Sequence, residues 1–412
     1  MGRQAVLSVH ILALFLNFLC AMNYAARFFF LLFTFSGTYS WSQVYSEDHK
    51  YFQTALSLYR LSDRKLEEFQ NPLKGPLEFR LSAQDAPWAG NYFAMKDGGA
   101  AFRWQSRKKN DAYFKTLMPK DEILKMSKEQ INQLSPAEKY DLFTSDYNFS
   151  MTQHELMHRG PLRGVAPAPW EGLCNGVRCA SALLPEPEAA IEVKNAEGIE
   201  ITFQPSDLKA LAGVSYFFVE KYAQMGAPTQ EGRAQAQPNA AAFDLALRYF
   251  LAHKKKSFAV DASLGEEIWN ESVIGYHREL SAPKKLSAQE QVLFPWANSK
   301  IQVDGWLETL GEVDIQKTNG PTKNRVADGQ LHKNLKFSYS LYLDSDGMAR
   351  DGLWKKSRSL RGVDFMWFGA GQGTDANPEN QNDNGNPYLN FKILKKLIKK
   401  SSTRTCQNIF IN

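Results

Sequence analysis

One cysteine constrains most of what this chain can be. In Trp170-Glu171-Gly172-Leu173-Cys174-Asn175-Gly176 a thiol stands between two glycines, just after the loop Val165-Ala166-Pro167-Ala168-Pro169. The residues that follow, Val177-Arg178-Cys179-Ala180-Ser181-Ala182-Leu183-Leu184, read as a helix. This order places Cys174 at a helix amino end, among unpaired N–H groups and the positive end of the helix dipole. Such surroundings lower a cysteine's pKa and favour the nucleophilic thiolate. The same N–H groups could hold an oxyanion after attack on an amide. Cys174 is therefore the leading nucleophile. A buried structural cysteine, behaving as a small hydrophobe, is the competing reading of the same residue.

The rest of the chain sets the frame for that thiol. With 412 residues, 43% of them hydrophobic, it can bury a large core, and two or three domains are expected. A net charge of +5 is too mild to argue for a nucleic-acid partner. Residues 1–40 read as a targeting segment. Residues 5–21 form one apolar run, and Arg27 precedes Phe28-Phe29-Phe30-Leu31-Leu32-Phe33-Thr34-Phe35, with small residues Ser36, Gly37, Thr38 and Ser40 beyond. This order is that of a secretory signal. Met22 is an alternative start, and an uncleaved anchor is the alternative role of residues 5–21. No later segment is apolar for long enough to span a bilayer. Outside the targeting segment stand Cys174, Cys179 and Cys406, an odd number that leaves one thiol free after one disulfide. Cys174 and Cys179 are poorly placed to bridge each other. A Cys179–Cys406 bridge is the expected pairing and leaves Cys174 free.

Periodicity places the remaining elements. Residues 41–75 look helical, with Asn71-Pro72 ending the run. Ser135-Pro136-Ala137-Glu138 is a capping box with proline at the first helical position. Residues 190–203 alternate as a two-stranded ribbon with a turn from Asn195 to Gly198. A helix opens at Pro205 with Ser206 as its cap, residues 225–240 read as a surface loop, and residues 241–252 form a further helix. Ser257-Phe258-Ala259-Val260-Asp261 reads as a strand. Residues 335–343 alternate well and turn at Asp344-Ser345-Asp346-Gly347. A polar loop covers 370–387. Residues 391–400 form a basic amphipathic helix that docks on its own domain, with an anionic membrane as the other surface such a helix could rest on.

Several of these stretches, taken in order, resemble the transglutaminase elicitor family, secreted cysteine-dependent acyltransferases of oomycetes with bacterial relatives. The segments carrying the resemblance are Pro87-Trp88 with Gly98-Gly99 and Phe102-Arg103-Trp104, Ser135 to Leu142, Asn148-Phe149-Ser150-Met151-Thr152, and Trp170 to Gly176. They continue with Pro185-Glu186-Pro187, Ser206 to Leu211, Ile268-Trp269-Asn270 with Gly275-Tyr276, Leu343 to Gly347, and Asp364-Phe365-Met366-Trp367. The order holds across roughly residues 75–370. The resemblance implies acyl transfer from a protein glutamine to a lysine amine with release of ammonia, and it matches Cys174 to the nucleophile. It departs at Val177-Arg178-Cys179, where a tryptophan and small residues are expected. It departs again at Ala242-Phe243-Asp244-Leu245-Ala246, where Asp244 stands at the place of a histidine base.

A thiol acyl-transfer site needs a thiolate, a proton shuttle, an orienting group and an oxyanion hole. Asp244 and Asp261 are the acidic shuttles. An aspartate beside a thiol can replace histidine if one of the two is protonated. Asp261 at a strand end is otherwise an ordinary turn residue. His277, after Trp269-Asn270 and Gly275-Tyr276, is the imidazole placed to return to the site from a strand end. His154 and His158 are four apart and could share a helix face, but no third ligand follows at zinc spacing, and His253 reads as a solvated helix end. Asp344 and Asp346 resemble the start of a calcium loop, but the remaining ligands are missing, and a tight turn fits better.

The expected fold is α+β, with a papain-like or transglutaminase-type cysteine core and a β-rich C-terminal part. The expected division is a secretion signal or anchor at 1–40, a helical segment at 41–74, a catalytic domain at 75–370, and a polar loop with a basic helix at 371–412. The expected activity joins protein glutamine to lysine through a Cys174 thioester, with catalytic residues Cys174, Asp244, Asp261 and His277. The chain is expected to be secreted and monomeric, with no metal, no cofactor and no nucleic-acid partner, and its partners to be proteins with accessible Gln and Lys. The alternatives are a cysteine peptidase or amidase that hydrolyses the same thioester, and a non-catalytic secreted binding protein that keeps the fold.

Overall fold

The structure, a computed structural model, packs one long antiparallel sheet against a cluster of helices. It describes residues 53–57, 65–106, 111–113, 118–217, 222–228, 237–261, 263, 265–355, 362–369 and 385–407. Residues 1–40, where a targeting segment is expected, and residues 370–384 of the expected polar loop lie outside the described residues.

The strands are β1 (Glu78–Arg80), β2 (Ile191–Lys194), β3 (Glu200–Phe203), β4 (Tyr222–Gly226), β5 (Ala259–Asp261), β6 (Asn270–Leu280), β7 (Ser299–Leu310), β8 (Lys333–Leu343), β9 (Ala349–Trp354) and β10 (Phe365–Gly369). The large sheet runs β4-β10-β5-β6-β7-β8-β9, with β1 also on β6. β5 and β1 share one edge of β6, the first pairing with Asn270 to Ser272 and the second with Gly275 to His277. β2 and β3 form the expected separate ribbon. Helix and strand are thus mixed, but the β-rich part is not confined to the C-terminal region. β1 and β4 come from before and just after the cysteine helix, and both join the same sheet. The loop expected from residue 225 begins later, because Met225 and Gly226 pair with Met366 and Phe365.

The main helices are α1 (Pro136–Phe143), α2 (Ser150–His154, continued by a π turn to Arg159), α3 (Cys174–Leu183), α4 (Pro205–Ser215), α5 (Ala240–Ala246, continued by a π turn to His253) and α6 (Phe391–Gln407). Local chemistry sets their starts. Ser135 Oγ accepts from Glu138 N–H while Glu138 Oε2 accepts from Ser135 N–H, which closes the capping box of α1. At α4 the cap differs from the sequence reading: Asp207 reaches back to the Gln204 N–H at 2.8 Å, and the Ser206 hydroxyl donates instead to Ile315 O. α6 buries Phe391, Leu394, Leu397 and Ile398 in the main core and leaves Lys392, Lys395, Lys396, Lys399 and Lys400 exposed, so it docks on its own fold. Cys179 on α3 is a buried free thiol, not half of a bridge. Its neighbourhood is apolar, and burial pushes its thiol well above the ordinary range. The Cys406 side chain lies outside the described residues.

Two features fix α3. A Cβ on Gly176 would lie 2.0 Å from the carbonyl oxygen of Gly213, and a Cβ on Gly213 would lie 2.7 Å from Val177, so α3 and α4 meet backbone to backbone. Buried ion pairs then pin α4. Lys139 of α1 meets Asp207 at 2.7 Å and Lys209 meets Glu186 at 2.7 Å, with all four side chains out of water.

A third buried cluster sits elsewhere. Asp244 of α5 bonds Arg248 at 2.8 Å, lies 3.0 Å from Arg278 Nε, and accepts from the Tyr339 hydroxyl at 2.7 Å. Burial opposes its charge, but the guanidinium groups of Arg278 and Arg248 outweigh burial and hold its carboxyl below the ordinary value. Removing one partner of such a cluster strands the other charges. Asp244→Asn is expected to cost about 3–5 kcal/mol in urea denaturation at pH 7. Because the folded pKa is depressed, this contribution is present above the unfolded pKa of about 3.9 and is lost as pH falls through the folded value. Gly176→Ala is expected to cost about 1–3 kcal/mol by overpacking the helix contact in the same measurement.

Candidate functional site

Cys174 is the first residue of α3, with Leu173 as its N-cap. Its carrier loop is held by backbone. Leu173 N–H donates to Tyr92 O, Met95 N–H donates to Glu171 O, and Ala94 bridges to Gly172. Gly172 is required at that bridge, because a Cβ there would lie 2.5 Å from the Tyr92 carbonyl oxygen and ring. On the other side Asn175 donates to Phe217 O, tying the helix start to the end of α4. The thiol is 8% exposed. It faces a cleft of about 240 Å³ lined by Met95, Trp170, Gly172, Phe217, Ile268 and Asn270. Access and burial therefore coincide at the sulfur, as a thiol that meets substrate in a water-poor setting requires.

The sheet supplies the polar neighbours. Asn270, the first residue of β6, points its Nδ2 at Cys174 Sγ over 3.4 Å. Trp367 of β10 donates to Asn270 Oδ1 at 2.7 Å, and that bond fixes which end of the amide faces the sulfur. Asp261, the last residue of β5, is directly opposite Asn270 in the β5–β6 register, so the two side chains share one face of the sheet. Asp261 Oδ1 accepts from Ser263 N–H, Ser263 Oγ and Trp269 N–H, while Oδ2 is buried without a partner. Burial raises its carboxyl to about 6, against those three donors and with a smaller upward push from Asp364.

The structure sets Asn270 against Cys174 and Asp261 opposite Asn270 in the β5–β6 pair, and places the other two expected site residues elsewhere. His277 is seven residues along β6 from Asn270, roughly 23 Å of extended chain. It stacks on Trp306 at 4.0 Å between Glu78 and Glu279. The strand that was expected to return it to the thiol instead carries it outward. Asp244 is saturated by Arg248, Arg278 and Tyr339, which leaves it no proton to exchange with a substrate. Its signal was already in the sequence, since Asp244 and Arg248 are four apart on a helix. Asn270 was quoted for its pattern alone, with no role assigned. Its signal was its place at a strand start next to a tryptophan.

His154, His158 and His253 pack against aromatic rings. His154 stacks on His158 at 4.2 Å, and burial lowers its imidazole to about 4. His253 stacks on Phe69 and Tyr249. Among the described residues no group of three or more His, Cys, Asp or Glu could hold a metal ion. Asp344 accepts from Asp346 N–H, Met348 N–H and Arg350 Nε, which makes a tight turn of the Asp344–Gly347 segment. Among the described residues no helix is long and apolar enough to cross a membrane.

The model of the transglutaminase elicitor family matches residues 63–403. The fold is similar to the crystal structure of the GP42 transglutaminase from Phytophthora sojae, with a TM-score of 0.59 and 20% identity, over 83% of this chain and 98% of that one. No curated protein matches the chain.

The raised carboxyl of Asp261 has a consequence for stability. A carboxyl at about 6 in the folded chain and about 3.9 in the unfolded one binds more protons folded than unfolded between those values. The fold therefore loses stability as pH rises through that window. Asp261→Asn, which keeps the accepting oxygen and removes the charge, is expected to stabilise the protein at pH 8 by about 1–3 kcal/mol and to have little effect at pH 4. Urea melts at the two pH values read this directly.

Proposed function

Because the chain belongs to the transglutaminase elicitor family, we propose that it is a secreted acyltransferase that joins protein glutamine to lysine amines through a thioester on Cys174. The observation that carries this reading is the sulfur itself: a helix-start thiol on a cleft, touched by an oriented amide, with a carboxyl of raised pKa across one strand pair. Asp261, whose carboxyl burial raises to about 6, carries the proton of the cycle. With the proton on Asp261, the thiolate attacks the carboxamide carbon, and N–H groups at the start of α3 hold the oxyanion. Ammonia leaves with the proton from Asp261, and the thioester remains. A lysine amine then attacks the thioester, gives its proton to Asp261, and releases the thiolate as the isopeptide bond forms. Asn270 orients the sulfur and donates to it throughout.

The cleft favours this substrate class. Met95, Trp170, Phe217 and Ile268 offer an apolar wall for the two-carbon stem of glutamine, and Asn270 offers polarity at the depth of the amide. Hydrolysis is the competing fate of the same thioester, and the incoming nucleophile separates the two. A non-catalytic binding protein would have no use for a buried acid with a raised pKa across one strand pair from the amide that touches the thiol.

Incorporation of a fluorescent amine into casein tests the assignment. Cys174→Ala is expected to abolish labelling while the far-UV spectrum stays native-like. Asp261→Asn is expected to lower the rate by about 10²–10⁴ and to remove the fall in rate expected of the wild type as pH rises through about 6. Equal labelling by wild type and Cys174→Ala refutes the reading, and ammonia release without labelling reassigns the enzyme as an amidase.

A further inference from the structure

Arg178 stands apart from the other buried cations. It is 2% exposed. Its Nη2 donates to Gly90 O at 3.1 Å, while Nε and Nη1 have no hydrogen-bond partner. The remaining buried cations among the described residues each reach a carboxylate. Lys139 meets Asp207, Lys209 meets Glu186, Arg159 meets Glu155, and Arg248 and Arg278 meet Asp244. A buried cation without an anion is costly, and proteins do not keep one without a compensating charge.

The geometry points to where that charge lies. Arg178 follows Cys174 by four residues on α3, so the two share a helix face with about 5–6 Å between their Cβ atoms. Long helical side chains lean toward the amino end, which directs the guanidinium back toward the thiol. The other ionisable groups are accounted for from each packed element. On β6, Glu271 accepts from Thr309 and lies 3.3 Å from Lys333. Glu312, after β7, is exposed to water. On α4, Asp207 and Lys209 are paired away. In the loop before α3, Glu171 is held by Arg163. Of the groups that act on Arg178, the Cys174 thiol is the one on its own helix. Burial pushes the guanidinium below its ordinary value, and Cys174 heads the neighbours that draw it back up, ahead of Glu271 and Glu312.

We propose that Arg178 is a positioning residue for the reaction: a buried cation one turn behind the nucleophile that favours negative charge on Cys174. It makes no hydrogen bond to the sulfur and acts through space, where the dry interior gives a charge several ångströms away its full effect. The proposal rests on Cys174 being the nucleophile, and it adds a charge that assists it. It also gives meaning to the departure at Val177-Arg178-Cys179, where a charge stands in a helix expected to carry small residues.

The test is the pH dependence of alkylation of the full chain by iodoacetamide, with Cys174 modification followed by peptide mass. The wild type is expected to alkylate with a midpoint at least one unit below the ordinary thiol value of about 8.5. Arg178→Met is expected to raise that midpoint by a unit or more, to slow alkylation at pH 6 by about tenfold, and to leave the rate at pH 9.5 unchanged. Arg178→Lys, which keeps the charge, is expected to restore most of the low-pH rate. An unchanged midpoint in Arg178→Met overturns the proposal, whatever happens to activity. Should Arg178→Met fail to fold, the wild-type midpoint decides alone, because a value at or above 8.5 overturns the proposal as well. Acid-range alkylation that depends on Arg178, in a protein that incorporates no amine, leaves the ion pair standing and removes only the transferase reading.

Discussion

The contact on which the site depends is the meeting of Gly176 and Gly213. Helices packed through side chains sit 8–10 Å apart, and at that distance the start of α3 would stand away from α4. With hydrogen in place of both side chains, the Gly213 carbonyl occupies the space of the missing Cβ at Gly176. That closeness lets Asn175 reach Phe217 at the end of α4 and brings Cys174 down to the cleft floor beside Asn270. The buried pairs Lys139–Asp207 and Lys209–Glu186 then hold α4 against the rest of the fold. A glycine contact sets the distance, and charge sets the orientation.

The sheet solves the second half of the problem with register. β5 and β6 pair so that Asp261 faces Asn270, and β10 pairs with β5 so that Trp367 falls opposite Ala259. From there the indole reaches across to the Asn270 amide. Two consecutive strands, β5 and β6, and the distant β10 thus contribute one side chain each to a single patch. A slip of one residue in either pairing would turn Asp261 or Asn270 to the opposite face. The requirement for three strands in register explains why short, buried strands suffice here: position matters more than length.

What could be read from the sequence follows from how far each interaction reaches. The start of α3 was legible because glycine, thiol and helix are adjacent in the chain. The capping box of α1 was legible for the same reason, and the β2–β3 ribbon needed only alternation and a turn. Asp261 could be nominated as a strand-end acid, but its raised pKa comes from burial under the fold. The failures are all long-range. Asp244 looked like a base because Arg278 lies 34 residues further on and Tyr339 lies 95 residues away. His277 looked available because β6 could have ended sooner, whereas it runs on to Leu280 and carries the imidazole to Trp306. β1 and β4 were missed as sheet members because their partners are strands 130 or more residues away.

Asp244 and Asp261 together show how burial separates scaffold from chemistry. Both are aspartates on regular elements and both are buried. Around Asp244 every oxygen is answered, two guanidinium groups outweigh desolvation, and the carboxyl stays charged at any working pH. Around Asp261 one oxygen is answered by three donors and the other by none, so desolvation wins and the proton becomes mobile near neutrality. Arg178 is the complementary case, a buried cation on the nucleophile's own helix whose Nε and Nη1 are unanswered. The remaining buried cations among the described residues each reach a carboxylate, whereas Arg178, one turn behind Cys174, reaches none. Unanswered charge in a closed interior is where reactivity concentrates, because only there can a proton move without first breaking a bond that holds the structure.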